Sequence, residues 1–171
     1  MIEVVVSRLG LDASSQTFVP ALEEKEGERA SPTWIGRTEA EVSADLGRRI
    51  LAEGHHRVNF AIVAAGENAA SPHHEPGARV IGPGEVVLCD FGGTMSAEGG
   101  AGYCSDITRC VVTGEPTAEM AEVYAVLHEA QAAAVAAGHV GTSAESVDAA
   151  ARDIIDDAGY GDFFVHRTGH G

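Results

Sequence analysis

Two aspartates set into one apolar hairpin constrain this 171-residue chain more than any other feature. The stretch 86–113 reads VVLCDFGG, then TMSAEGGAG, then YCSDITRCVVT. Its first arm, Glu85 to Phe91, is an apolar run with β-branched residues. The second, Cys104 to Thr113, alternates before ending in Val111-Val112, and the nine residues between are rich in Gly, Ala and Ser. Each arm carries one aspartate, Asp90 and Asp106. A carboxylate in a buried strand is costly unless something positive meets it. Two on paired strands repel unless a cation sits between them, which points to a bound metal. The competing reading leaves Asp90 capping a turn at Gly92-Gly93 and Asp106 paired with Arg109.

The rest of the composition mainly excludes. A formal charge of −15 argues against nucleic acid or an anionic membrane as a partner. Three cysteines, Cys89, Cys104 and Cys110, are odd in number and lack CxxC spacing, which predicts reduced thiols in a cytoplasmic protein. No apolar run approaches the ~20 residues of a membrane span, and Met1 to Leu11 lacks the apolar core of a signal peptide. With 44% hydrophobic residues the chain can build a core of about one domain.

Residues 1–33 form a poorly defined N-terminal segment: IEVVV suits a short strand, SRLGLDASSQTF has no sustained period, and EEKEGER is a solvated charge run. From Gly36 the pattern sharpens. Thr38 and Glu41 make a capping box, and Val42, Leu46 and Ile50 share a helical face up to Gly54. Arg57 to Ala65 reads as a buried strand and GENAASPHHEPG as a polar loop. After the hairpin, Thr117 caps a second helix, on which Met120, Val123, Tyr124, Leu127, Gln131 and Ala134 keep helical spacing up to Gly138. A capping box at Thr142 and Glu145 starts a third helix, with Val147, Ala151, Ile154 and Ile155, and FFVHRTGHG then enters a strand.

A shift of 105 positions lays Gly36 on Gly141, Thr38 on Ser143, Val42 on Val147, Ile50 on Ile155 and Gly54 on Gly159. This predicts a duplicated unit of turn, helix and strand. Counterparts of Asp90 and Asp106 would then fall past Gly171, so the second copy is expected to be cut short and the chain to be a fragment. A strand from Phe163 without a following neighbour would leave an open edge, which predicts aggregation or a homo-oligomer that buries it.

Histidines supply the remaining chemistry. His73 and His74 follow a strand, and His166 and His170 stand four apart in a Gly-rich stretch, where two strand positions share a face. For each the plain alternative is a solvated or hydrogen-bonded histidine, although imidazole beside carboxylates suits a catalytic metal. His55, His56, His128 and His139 read as structural or solvated.

The run DFGG…GYCSDITRC, the upstream PHHEPG and the terminal HRTGHG together resemble the pita-bread metallopeptidases: aminopeptidase P, prolidase (Xaa-Pro dipeptidase), methionine aminopeptidase and the non-peptidase creatinase. The likeness runs from about Trp34 to Gly171, and GRTEAEV, PHHEPG and HRTGHG are most similar to the bacterial Xaa-Pro peptidases. It implies an α+β fold of duplicated halves around a curved, mostly antiparallel sheet, with residues 34–171 an incomplete catalytic domain. It implies Asp90, Asp106 and His170 as metal ligands, His73 near the scissile bond and His166 in the substrate pocket. Two divalent ions, manganese by analogy with cobalt, zinc or iron as alternatives, would share a bridging hydroxide that cleaves a proline-containing peptide. Three departures stand out. The glutamates that complete the family's site follow its GHG motif and are not in this sequence. The Asp90–Asp106 spacing is longer than usual in the family, which implies an insertion of SAEGG or its neighbours in the hairpin loop. Residues 1–33 do not resemble the family's usual N-terminal helix or domain. Reduced or no activity is therefore expected, and the alternatives are a non-catalytic relic or interaction module, or a creatinase-like amidinohydrolase.

Overall fold

A computed structural model describes residues 4–11, 18–24, 34–96 and 102–169. The chain divides into two compact units, Met1–Glu115 and Pro116–Gly171. Within the N-terminal segment, β1 (Val4–Leu11) and β2 (Phe18–Glu24) pair antiparallel. The sequence predicts a strand only for the first of them, because a two-stranded ribbon needs no alternating face.

Helix α1 (Glu39–Ala52) begins at Thr38, whose hydroxyl accepts from Glu41 N–H while the Glu41 carboxylate accepts from Thr38 N–H. The capping box is present as the sequence predicts. Strand β3 (Arg57–Ala65) follows and pairs antiparallel with the long β4 (Val86–Ser96). Along its other edge β4 meets β5 (Gly102–Cys104) through Thr94–Ser96 and β6 (Ile107–Val112) through Val86–Phe91. The sheet is thus antiparallel with β4 at its centre, and the first arm runs past its predicted end at Phe91. It does so because β5 supplies partners for three more residues.

Strand alternation sorts the two faces of this sheet. Val63, Ala65, Val87 and Cys89 are buried with Val42 of α1 and Ile81, and Trp34, Leu46, Phe91 and Val111 pack against them. Burial pushes the Cys89 thiol up to about 12 and raises that of Cys110, so neither is a ready ligand or nucleophile. Asp90 alternates with Cys89 and Phe91 and therefore belongs to the face turned away from α1.

In the second unit, α2 (Ala118–Ala137) is capped by Thr117 and ends at Gly138, as predicted. Helix α3 (Ala144–Asp157) starts one residue later than its predicted box: the Ser143 hydroxyl, not Thr142, accepts from Ser146 N–H. The helices meet through Ala130 and Ala134 against Ala151 and Ile155. Small residues set this contact, so the larger Val123, Tyr124 and Leu127 stay exposed rather than forming the buried stripe.

The predicted repeat has a structural counterpart. Helices α1 and α3 begin and end 105 positions apart, each capped by a hydroxyl residue. Each is closed by a left-handed glycine, Gly54 (φ 100°) or Gly159 (φ 86°), where a side chain would strain the backbone. The copies differ afterwards. Where β3 pairs with β4, the corresponding stretch is a 3-10 turn, Gly161–Phe163, followed by irregular chain to residue 169. The predicted strand from Phe163 does not form among the described residues. Its carbonyls at Phe164 and His166 are taken by the Arg152 side chain instead of a neighbouring strand.

Candidate active site

Asp90 lies in the middle of β4, paired with Thr108 of β6, whose hydroxyl donates to Asp90 Oδ1 at 3.0 Å. It caps no turn, and the Gly92-Gly93 pair is strand rather than corner. The reason for two glycines is steric. A Cβ on Gly92 would run into the Ser105 carbonyl oxygen and meet the Phe60 ring at 2.9 Å. One on Gly93 would meet the Arg57 carbonyl oxygen at 2.5 Å and the His55 ring at 2.8 Å. The bare backbone of β4 therefore lets Ser105 and Asp106, the two residues between β5 and β6, pass close by.

Ser105 fixes that approach. Its N–H donates to the Gly93 carbonyl at 2.9 Å, its hydroxyl oxygen accepts from Gly93 N–H at 3.2 Å, and His55 Nε2 lies 2.9 Å from the same hydroxyl. His55, read from sequence as structural or solvated, thus anchors the residue before Asp106. Continuing the β4–β6 register sets Asp106 beside Gly92, two positions from Asp90 on β4.

His73 is placed by a turn. Ser71–His74 closes with His74 N–H donating to the Ser71 carbonyl at 3.2 Å, and Pro72 holds the second position, as such turns favour. His73 is exposed at the third corner, whereas the His74 side chain turns inward to Glu39. Glu39 is fully buried on the first turn of α1. Its Oε1 accepts from Ala65 N–H at 2.8 Å and from Asn68 Nδ2 at 3.0 Å, and its Oε2 lies 2.8 Å from His74 Nε2. Burial alone would push this carboxyl up; the bonds from Ala65, Asn68 and His74 outweigh it and hold the group below its usual range. The far end of the same loop is closed by Arg79, which donates to both Glu85 oxygens at 3.0 and 2.7 Å, with Gly82 N–H on Oε2.

In the second unit His166 belongs to a segment strapped onto α3. Arg152 donates to the carbonyls of Phe164 and His166, both at 2.9 Å, and its guanidinium lies 4.6 Å from the centre of the Phe164 ring. Asp148 accepts from Arg152 Nε at 2.8 Å and from the N–H and hydroxyl of Thr168 at 2.6 and 2.9 Å. Arg152 first, then Thr168, hold its carboxyl down at about 2, against an ordinary 3.8. In the first copy the equivalent of the His166 carbonyl, that of Ala61, accepts from the Ser43 hydroxyl at 2.5 Å.

Both depressed carboxyls stabilise the fold where they are ionised. That contribution is complete above their ordinary values of 4.5 and 3.8, and it is lost as pH falls through the lower folded values. The melting temperature, followed by circular dichroism, should be flat above about pH 5 and fall below about pH 4.5. Glu39→Gln should make that fall shallower; an unchanged acid limb would contradict the assignment.

Sequence reasoning missed Glu39, His74, Asp148 and Arg152 as site supports, since only folding shows which distant groups they serve. Among the described residues no three His, Cys, Asp or Glu gather where they could hold a metal. Asp90 and the register position of Asp106 lie two residues apart along β4, His73 and His166 stand on their own supports, and His170 lies outside the described residues. The hairpin nevertheless has suitable donor chemistry for a divalent ion. It offers hard carboxylate oxygens on β4 and on the crossing beside it, a glycine between them in register, and a hydroxyl orienting one of them.

No helix among the described residues is long and apolar enough to cross a membrane. Residues 11–171 match metallopeptidase family M24. The chain is 49% identical over 136 residues to the probable dipeptidase PepE of Mycobacterium tuberculosis, covering 80% of this chain and 35% of that protein. It is 45% identical over 138 residues to an Xaa-Pro dipeptidase of Lactobacillus delbrueckii subsp. lactis, covering 80% and 36%. Among solved structures, a recombinant prolidase from Thermococcus sibiricus superposes with a TM-score of 0.76 at 45% identity, over 81% of this chain and 37% of that one. The chain therefore spans little more than a third of the length of these relatives.

Proposed function

Because the chain belongs to metallopeptidase family M24, we propose that it carries part of the hydrolytic centre of an Xaa-Pro dipeptidase or aminopeptidase, within residues 34–171. The observation that carries this reading is the pinched hairpin: Asp90 lies in β4 under the Thr108 hydroxyl, and Asp106 lies in the two-residue crossing between β5 and β6, in register with Gly92. Asp90, Asp106 and His170 would hold divalent metal, two ions by the family resemblance, with manganese the first choice for a set of hard oxygens and one imidazole. When bound, such ions lower the pKa of water and polarise a carbonyl.

The protein's own side chains do the rest. His73, at the exposed corner of its turn, would hydrogen-bond the scissile carbonyl oxygen and stabilise the charge that develops there. His166, its carbonyl tied to Arg152, would line the pocket for the substrate. The three free cysteines and the acidic charge support a reducing, cytoplasmic setting without nucleic acid or membrane partners. The exposed Val123, Tyr124 and Leu127 support self-association.

The test is cleavage of Ala-Pro and Ala-Ala by the 171-residue chain with added manganese. Whatever turnover the chain has is expected to be reduced and proline-selective, falling roughly 100-fold or more in His73→Ala. Tight metal binding without any turnover would favour the non-catalytic reading, and cleavage of a guanidino compound in place of Ala-Pro would favour an amidinohydrolase.

A further inference from the structure

We infer that Glu39 is the positioning residue for His73, acting through His74; the inference rests on the role given to His73 above. A carboxylate is a costly thing to bury, and Glu39 is fully buried with hydrogen bonds from Ala65, Asn68 and His74. Those donors all belong to one structural object, the connection that leaves β3 and carries His73. Ala65 N–H is the last of the strand, Asn68 lies in the 3-10 turn Gly66–Ala70, and His74 closes the turn Ser71–His74. The backbone adds to the seam: Glu39 N–H donates to the Arg79 carbonyl and Ala40 N–H to that of Gly77. Helix α1 thus meets the loop at its beginning, middle and end.

The tie at His74 is the one that reaches His73. In a four-residue turn, fixing the last residue by its side chain and its N–H leaves the third corner little freedom. His74 supplies both constraints, so His73 is presented outward from a base that is pinned to the helix. An ionised carboxylate only accepts, so His74 Nε2 must carry the hydrogen. That fixes the ring tautomer and gives the arrangement a spectroscopic signature.

The experiment uses the 171-residue chain labelled with nitrogen-15 and long-range proton–nitrogen spectra of the imidazole rings at neutral pH. His74 is expected as the Nε2–H tautomer. In Glu39→Gln the amide oxygen stays on the fixed Ala65 N–H, its NH2 faces His74, and the ring should switch to Nδ1–H. The backbone amide and ring signals of His73 should move with it. His74→Ala should displace His73 likewise, whereas His74→Gln, which keeps a donor at similar reach, should restore its wild-type signals. In the Ala-Pro assay Glu39→Gln and His74→Ala should lower kcat roughly 10- to 100-fold, with KM and manganese affinity within about twofold. His73 signals that stay unchanged in both Glu39→Gln and His74→Ala would overturn the inference. So would His74→Gln displacing His73 as far as His74→Ala does. If His73→Ala cleaves Ala-Pro at the wild-type rate, the function proposed for His73 fails, and the spectra still decide whether Glu39 positions it.

Discussion

Asp106→Ala is expected to abolish the weak manganese binding of the 171-residue chain, leaving no measurable heat in titration calorimetry at protein concentrations where the wild type still gives a signal. Asp106 sits where two residues pass between strands, in register with the bare backbone of Gly92 and two positions from Asp90. Removing it leaves one carboxylate of the pair, oriented by the Thr108 hydroxyl, and a single carboxylate holds a divalent ion weakly. His74→Ala is the proper control, because His74 is committed to Glu39. Equal loss of binding in the two variants would refute the ligand assignment.

Two glycine-to-alanine substitutions should move stability in opposite directions. Gly92→Ala drives a methyl group into the Ser105 carbonyl and the Phe60 ring, so β4 and the Ser105–Asp106 crossing must part. Forcing backbone against backbone should cost about 3 kcal/mol, at the upper end of overpacking. Gly47 lies inside α1, where an added Cβ meets only the Val58 side chain at an ordinary 3.8 Å. Gly47→Ala should therefore stabilise the chain by roughly 0.5–1 kcal/mol through helix propensity alone. Chemical denaturation of both variants measures the difference. A Gly92→Ala variant as stable as wild type would mean the strands are not pinched together there. Loss of manganese binding in Gly92→Ala, but not in Gly47→Ala, would link the pinch to the site.

What could be read from the chain in advance was whatever neighbours in sequence decide. The Thr38 capping box, the span of β3 and the Thr117 cap depend on residues within a turn or a strand of one another, and each appears as expected. The Asp90–Asp106 hairpin was legible for the same reason. The glycine pair was not: DFGG looks like a corner until Phe60, His55 and Ser105 are seen against it. Glu39 likewise reads as one more acidic residue in a first helical turn, because its partners lie 26, 29 and 35 positions away. The predicted strand after Phe163 failed on the same kind of information. Apolar alternation marks a segment able to pair, but Arg152 had already claimed the carbonyls.

The carbonyls of Ala61 and His166, equivalent under the 105-residue shift, are both captured by the helix that precedes them. One is held by a serine hydroxyl, the other by a guanidinium that is itself braced by a carboxylate on a half-exposed surface. A neutral bond ignores dissolved ions, while a charge pair in contact with water is screened by them. Two segments equivalent in position thus respond differently to ionic strength. Brine leaves the Ala61 seam as it was and slackens the one beneath His166.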